Sequence, residues 1–114
     1  MAMRTILLLS VGIAALVTVV ALVGCADTAS QLPTPEQLAE HGAVPTEADI
    51  SALRRGRALL VTECARCHRL YWPKEYPPEQ WKGLVRKYGR LASLSARQTE
   101  DLELYLRVAS AAAH

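Results

Sequence analysis

The 114 residues carry 13 Lys and Arg against 11 Asp and Glu, a formal net charge of +2, and without Arg4 of the leader the remainder is close to neutral. That length admits one domain at most, and the charge balance excludes the clustered basic footprint of a nucleic-acid-binding domain. The apolar fraction of 51% is raised by one N-terminal run, which leaves a core small enough to need a metal, disulfide or cofactor as a staple.

Residues 1–24 read as an export signal, with Arg4 followed by an uncharged run from Ile6 to Val23. The run ends in Leu22-Val23-Gly24-Cys25, which resembles the bacterial lipobox, where a peptidase cuts before a cysteine that is then acylated. The resemblance implies lipid on Cys25 and a chain anchored to the cell envelope, facing the periplasm. Ala26 stands where an Asp would favour the inner membrane, which tilts sorting toward the outer membrane. The other reading is an uncleaved anchor helix, and it puts the domain on the same side of the membrane. With Cys25 acylated, the odd cysteine of the three is accounted for.

Residues 25–45 read as a lipid-anchored linker rich in Ala, Pro, Thr and Gln. Within it, Pro35 to His41 has room for two helical turns stopped by Gly42. The folded domain is expected from Thr46 to His114. A first long helix starts at Thr46, capped with Asp49, and runs into Cys64 with Ile50, Leu53, Leu60 and Val61 on its apolar stripe. A proline- and aromatic-rich loop follows. Pro78 opens a second helix to about Leu91, with Trp81, Leu84, Val85, Tyr88 and Leu91 on one face. Ser95 and Gln98 form a capping box for a third helix to about Ala109, with Leu102, Tyr105, Leu106 and Ala109 inward. No segment alternates with period two, so the expected class is all-α, with three main helices.

Cys64-Ala65-Arg66-Cys67-His68 is C-x-x-C-H, the pattern of c-type haem attachment. Two thiols one helical turn apart can add to the two vinyl groups of a porphyrin, and the adjacent His68 can ligate its iron. A thioredoxin-like pair would need a βαβ context with a helix starting at the first cysteine. A structural zinc would need further ligands, and His41 and His114 are single and remote. The arginines Arg54, Arg55, Arg57, Arg66 and Arg69 read as a solvated face, with haem propionates or an acidic redox partner as the functional alternative. Trp72 and Trp81 read as core.

Over residues 50–108 the chain resembles the class I cytochrome c family, on Gly56 ahead of the haem motif and Leu102-Glu103-Leu104-Tyr105-Leu106 near the C-terminus; Cys67-His68-Arg69-Leu70, Pro78-Glu79-Gln80-Trp81 and Leu94-Ser95 resemble small bacterial mono- and dihaem cytochromes of this type. The resemblance implies a small cytochrome c-like fold around one covalent haem c on Cys64 and Cys67, with His68 as axial ligand. It also implies that Gly56 packs against Tyr105 where two helices cross. A Met opposite the His is usual in that family, commonly seven residues after a Trp like Trp81; here that position is Tyr88. The only Met residues are Met1 and Met3, in the leader. Tyr88 is therefore the expected sixth-position residue, weakly bound or replaced by water, with His41 or His114 as rivals and Lys87 a lesser candidate. The expected function is electron transfer to redox partner proteins. The alternatives are small-gas binding at an open sixth position or a role as accessory haem subunit. No general acid–base pair or activated nucleophile is evident, so enzymatic activity is not expected.

Radiolabelled palmitate is expected to enter the wild-type chain and Cys25→Ser to block both labelling and processing after Gly24; an unlabelled product cut elsewhere would refute the lipobox reading.

Overall fold

The computed structural model describes residues 29–42 and 46–114; residues 1–28, Cys25 among them, and residues 43–45 lie outside these. Among the described residues the chain is all-helical, without a strand. The helices are α1 (Pro35–Glu40), α2 (Glu47–Thr62), α3 (Pro78–Leu91) and α4 (Ala96–Ala111), with 3₁₀ turns at Cys64–Arg66 and Pro73–Glu75. None is long and apolar enough to cross a membrane. Residues 29–31 form a turn; the compact unit that carries the helices is Leu32–His114.

The helix ends obey local chemistry. Thr34 and Gln37 form a capping box on α1, and Gly42 ends it at φ +72°, a left-handed conformation that glycine adopts without a Cβ penalty. Thr46 caps α2 by accepting the Asp49 N–H at 3.2 Å. Pro78 opens α3 as its first residue, where its missing N–H costs nothing. At the other end of α3, Leu94 N–H donates to the Gly89 carbonyl (2.9 Å) and Ser93 N–H to the Arg90 carbonyl (3.1 Å). This is a Schellman closure with Ser93 at φ 57° in the left-handed position. Ser95 and Gln98 then cap α4 reciprocally.

α4 is the central helix, packed against both α2 and α3. Its stripe of Leu102, Tyr105, Leu106 and Ala109 is buried against Leu53 and Leu60 of α2 and Trp81 and Val85 of α3. Each of the leucines and Val85 contributes roughly 1.5–3 kcal/mol by leaving water. The α2–α4 crossing is set by Gly56. A Cβ there would lie 2.1 Å from the Asp101 carbonyl oxygen and 2.7 Å from the Tyr105 Cβ, so only glycine permits the contact. The expected Gly56–Tyr105 packing is present, with the Asp101 backbone closer still.

Beside the crossing, the buried Asp101 carboxylate accepts from Arg55 Nε at 2.7 Å and Nη2 at 3.1 Å, with Arg97 at 3.9 Å. A buried carboxylate without such partners would be strongly destabilising. Tyr105, fully buried, donates its hydroxyl to the Pro33 carbonyl at 2.9 Å. Burial pushes that phenol up to about 12, opposed by the nearby Arg57 guanidinium.

Two expectations are corrected. The segment read as linker is structural from Leu32 to Gly42: Leu32 and Leu38 are core residues at 1% and 2% exposure. Packing therefore begins upstream of Thr46, because those two leucines cover apolar surface that α2 and α4 leave open. On α3 the buried line is Trp81, Val85 and Gly89, whereas Tyr88 is 49% and Leu91 75% exposed. The apolar arc of α3 is wider than the strip α4 covers, so its flank is left outside the core.

Gly56→Ala should lower stability by ~1–3 kcal/mol, since the methyl must push the helices apart. Gly83→Ala, where a Cβ meets nothing within 4 Å, should instead raise it by up to ~1 kcal/mol. Thermal melts of the two variants test the crossing; equal midpoints would refute it.

Candidate functional site

α2 stops at Thr62, and the chain turns through Glu63 into the 3₁₀ turn Cys64–Arg66. The Cys64 thiol and the His68 ring both line an apolar pocket bounded by Leu60 of α2, Leu84, Val85 and Tyr88 of α3, and Leu102 and Leu106 of α4. Tyr71, Tyr76, Trp81 and Gly89 complete the wall. The cavity itself encloses about 140 Å³, and the space between its walls continues into open solvent. Cys67, which ends the 3₁₀ turn, is exposed and outside the lining.

The local chemistry separates the readings of the Cys pair. The two thiols are free. Burial, and to a lesser degree the Glu63 carboxylate, pushes the Cys64 thiol up from its ordinary value. A nucleophilic redox cysteine needs the reverse shift, toward the thiolate, and only a three-residue 3₁₀ turn, not an α-helix, begins at Cys64. Among the described residues no group of three or more His, Cys, Asp and Glu comes together to hold a metal, so those residues offer no zinc cage.

His68 Nδ1 lies 2.6 Å from the Arg69 carbonyl oxygen. A carbonyl only accepts, so that bond puts the proton on Nδ1 and leaves the Nε2 lone pair for a metal, the arrangement typical of ligating histidines. The ring is further held edge-on to Tyr71 at 4.9 Å between centroids. A thiol and an oriented imidazole in one largely apolar lining match, in their chemistry, an iron-bearing apolar ring.

The loop after His68 is fixed from both sides. Arg69 donates twice to Glu75, at 2.8 and 2.6 Å, and Glu75 also accepts the Trp72 N–H at 2.7 Å. The Arg69 guanidinium also stacks 4.5 Å from the Tyr71 ring centroid. The Arg69 and Trp72 bonds hold the Glu75 carboxyl at about 2, against an ordinary 4.5. Trp81 Nε1 donates to the Pro73 and Tyr76 carbonyls at 2.9 and 3.1 Å, and Ser110 Oγ donates to the same Tyr76 carbonyl at 2.6 Å. Trp81 is thus core and clamp together.

The sequence-predicted residues sort as follows. Cys64, His68 and Tyr88 share the pocket; Cys67 adjoins it; Cys25 is outside the described residues. His41 lines a separate groove with Pro78, Leu104 and Arg107, its Nδ1 2.7 Å from the Gln37 carbonyl oxygen, and His114 is exposed and not in the lining. The arginines read as a solvated face are largely engaged: Arg54 pairs with Glu36, Arg55 with Asp101, Arg66 with Glu63 and Arg69 with Glu75. Their acids lie up to 46 positions away in sequence, which is why the cluster looked unpaired. Glu75, Tyr71 and Tyr76 were missed as site residues; the density of aromatics directly after His68 was the available signal.

Residues 60–114 match the family model described as dihaem cytochrome c. No curated protein and no solved structure matches the chain. The family match supports a c-type cytochrome and, with it, covalent haem c.

A group with a depressed folded value stabilises fully above its unfolded value and loses that contribution as pH falls. For Glu75 the window runs from about 4.5 down to about 2. The melting temperature of wild type should therefore fall across it more steeply than that of Glu75→Gln, which should already melt lower at neutral pH. Parallel profiles would show that the clasp contributes nothing.

Proposed function

We propose that this chain transfers single electrons at the cell envelope through one haem held covalently by Cys64 and Cys67, with His68 as an iron ligand. The observation that carries the reading is the presence of Cys64 and His68 on one apolar pocket, with His68 Nδ1 engaged by a backbone carbonyl. The family match over residues 60–114 supports it. The haem supplies Fe(II)/Fe(III) cycling.

The residues of the chain hold, orient and insulate that group. Cys64 and Cys67 anchor it. The Arg69–Glu75 clasp keeps the segment after His68 from swinging away, and Leu84, Val85, Leu102 and Leu106 exclude water. One C-x-x-C-H occurs in these 114 residues, so the reading is monohaem, in the class I-like form, although the matching family is described as dihaem. Acylation at Cys25 would hold the domain to the membrane, facing the periplasm.

A second reading, small-ligand binding at an open sixth position, draws on the same pocket. Among the described residues its lining contains no Met and no second His, and the residue at the family's Met position, Tyr88, is half-exposed. A neutral phenol is a poor ligand, so on the side away from His68 a haem iron held here would find only water or a weakly binding Tyr88, and its potential would lie below that of a Met-ligated relative.

Expression with a c-type maturation system should yield haem that survives denaturing electrophoresis, lost in the Cys64→Ser, Cys67→Ser double variant. Freely extractable haem would overturn the proposal. On the ferric protein, electron paramagnetic resonance should show no bis-histidine signal, and rapid carbon monoxide uptake by the ferrous form would favour the second reading.

A further inference from the structure

Among the described cations two groups stand apart. Arg54, Arg55, Arg66, Arg69, Arg97 and Arg107 each sit 2.6–3.9 Å from a carboxylate. On α3, among the described residues, no carboxylate pairs with Lys82, Arg86, Lys87 or Arg90, and all four are exposed. The single acid of that helix, Glu79, stands in its first turn. Lys82, Arg86 and Arg90 repeat every four residues and so form one outward stripe.

Lys87 lies between that stripe and the pocket. Its Nζ is 5.3 Å from the Tyr88 ring centroid, and Tyr88 lines the pocket while remaining 49% exposed. One turn on, Leu91 is 75% exposed. Tyr88 and Leu91 are the two large hydrophobic side chains left exposed among the described residues. The outer side of α3 is therefore an unneutralised cationic face ending in a small apolar edge at the rim of the pocket. Exposed charge of one sign beside a small apolar contact steers a partner of opposite sign and then lets it dock.

We propose that this face of α3 is the docking surface for an acidic redox protein, which exchanges its electron across the Tyr88–Leu91 edge. The inference rests on the haem reading above for the electron, but not for the docking. An anionic lipid surface is the lesser fit, because the inner apolar side of α3, at Trp81, Val85 and Gly89, is already committed to the core and offers no face for insertion.

The test uses an acidic flavodoxin as probe. Titrated into ¹⁵N-labelled protein at low ionic strength, it should shift amides from Lys82 to Leu91, and the shifts should vanish at high salt. The variant Lys82→Glu, Arg86→Glu, Lys87→Glu, Arg90→Glu should lose the shifts. In haem-loaded protein it should slow electron exchange with reduced flavodoxin by about tenfold or more. Arg107→Glu, on α4, should leave both unchanged. Shifts located elsewhere, or rates equal in wild type and the four-fold variant, would overturn the docking surface. So would binding of the non-acylated protein to phosphatidylglycerol vesicles without flavodoxin shifts, which would assign the face to membrane. Absence of covalent haem would overturn only the electron-transfer reading, since the shift titration does not depend on it.

Discussion

Where α2 crosses α4, the Gly56 backbone meets the Asp101 carbonyl with no space for a side chain between them. That approach brings Leu53 and Leu60 within reach of Leu102 and Leu106 and fixes the direction in which α2 ends. Because α2 ends there, the thiol of Cys64 arrives at the rim of the pocket. Leu102 and Leu106, which pack at the crossing, are also part of its wall. The same side chains therefore stabilise the fold and shape the site, and a shift of one helix past the other would be felt in both. Arg55 reinforces the junction by pairing with Asp101, the residue whose backbone Gly56 touches.

Much of this was legible in the residues. The helices α2, α3 and α4 announced themselves through Thr46, Pro78 and the Ser95–Gln98 pair, because capping is local chemistry that short sequence windows contain. The inward stripe of α4 followed from periodicity, since a helix packed on two sides buries its whole apolar arc. C-x-x-C-H located the candidate site by covalent spacing alone. Periodicity failed at Tyr88 and Leu91, for it reports that an arc is apolar without saying whether protein or something else covers it. Composition failed at Leu32 and Leu38: a Pro- and Thr-rich stretch looks like a tether, and two leucines are too few to signal burial. The partners of the arginines were hidden for a further reason, as ion pairs between distant segments leave no trace in local sequence.

The segment from Cys64 to Tyr76 shows how a small protein fixes a functional stretch without regular helix or sheet. Backbone carbonyls that no ladder satisfies are met by side chains, Trp81 at Pro73 and Tyr76 and Ser110 again at Tyr76. Buried carbonyls left unpaired would cost roughly 1–3 kcal/mol each. Order in this stretch is thus borrowed from α3 and α4, and the geometry around His68 is only as firm as those two helices.

The bond from the Tyr105 hydroxyl to the Pro33 carbonyl bears on where the molecule can be cut. A shortened chain beginning at the first long helix would remove Leu32 and Leu38, strip an apolar cover from the crossing, and take away the Pro33 carbonyl that accepts from the Tyr105 hydroxyl. The smallest portable unit therefore starts at or before Leu32. Any soluble version made for crystallisation, or any fusion joined at the N-terminal side, has to respect that edge rather than the more conspicuous one at Thr46.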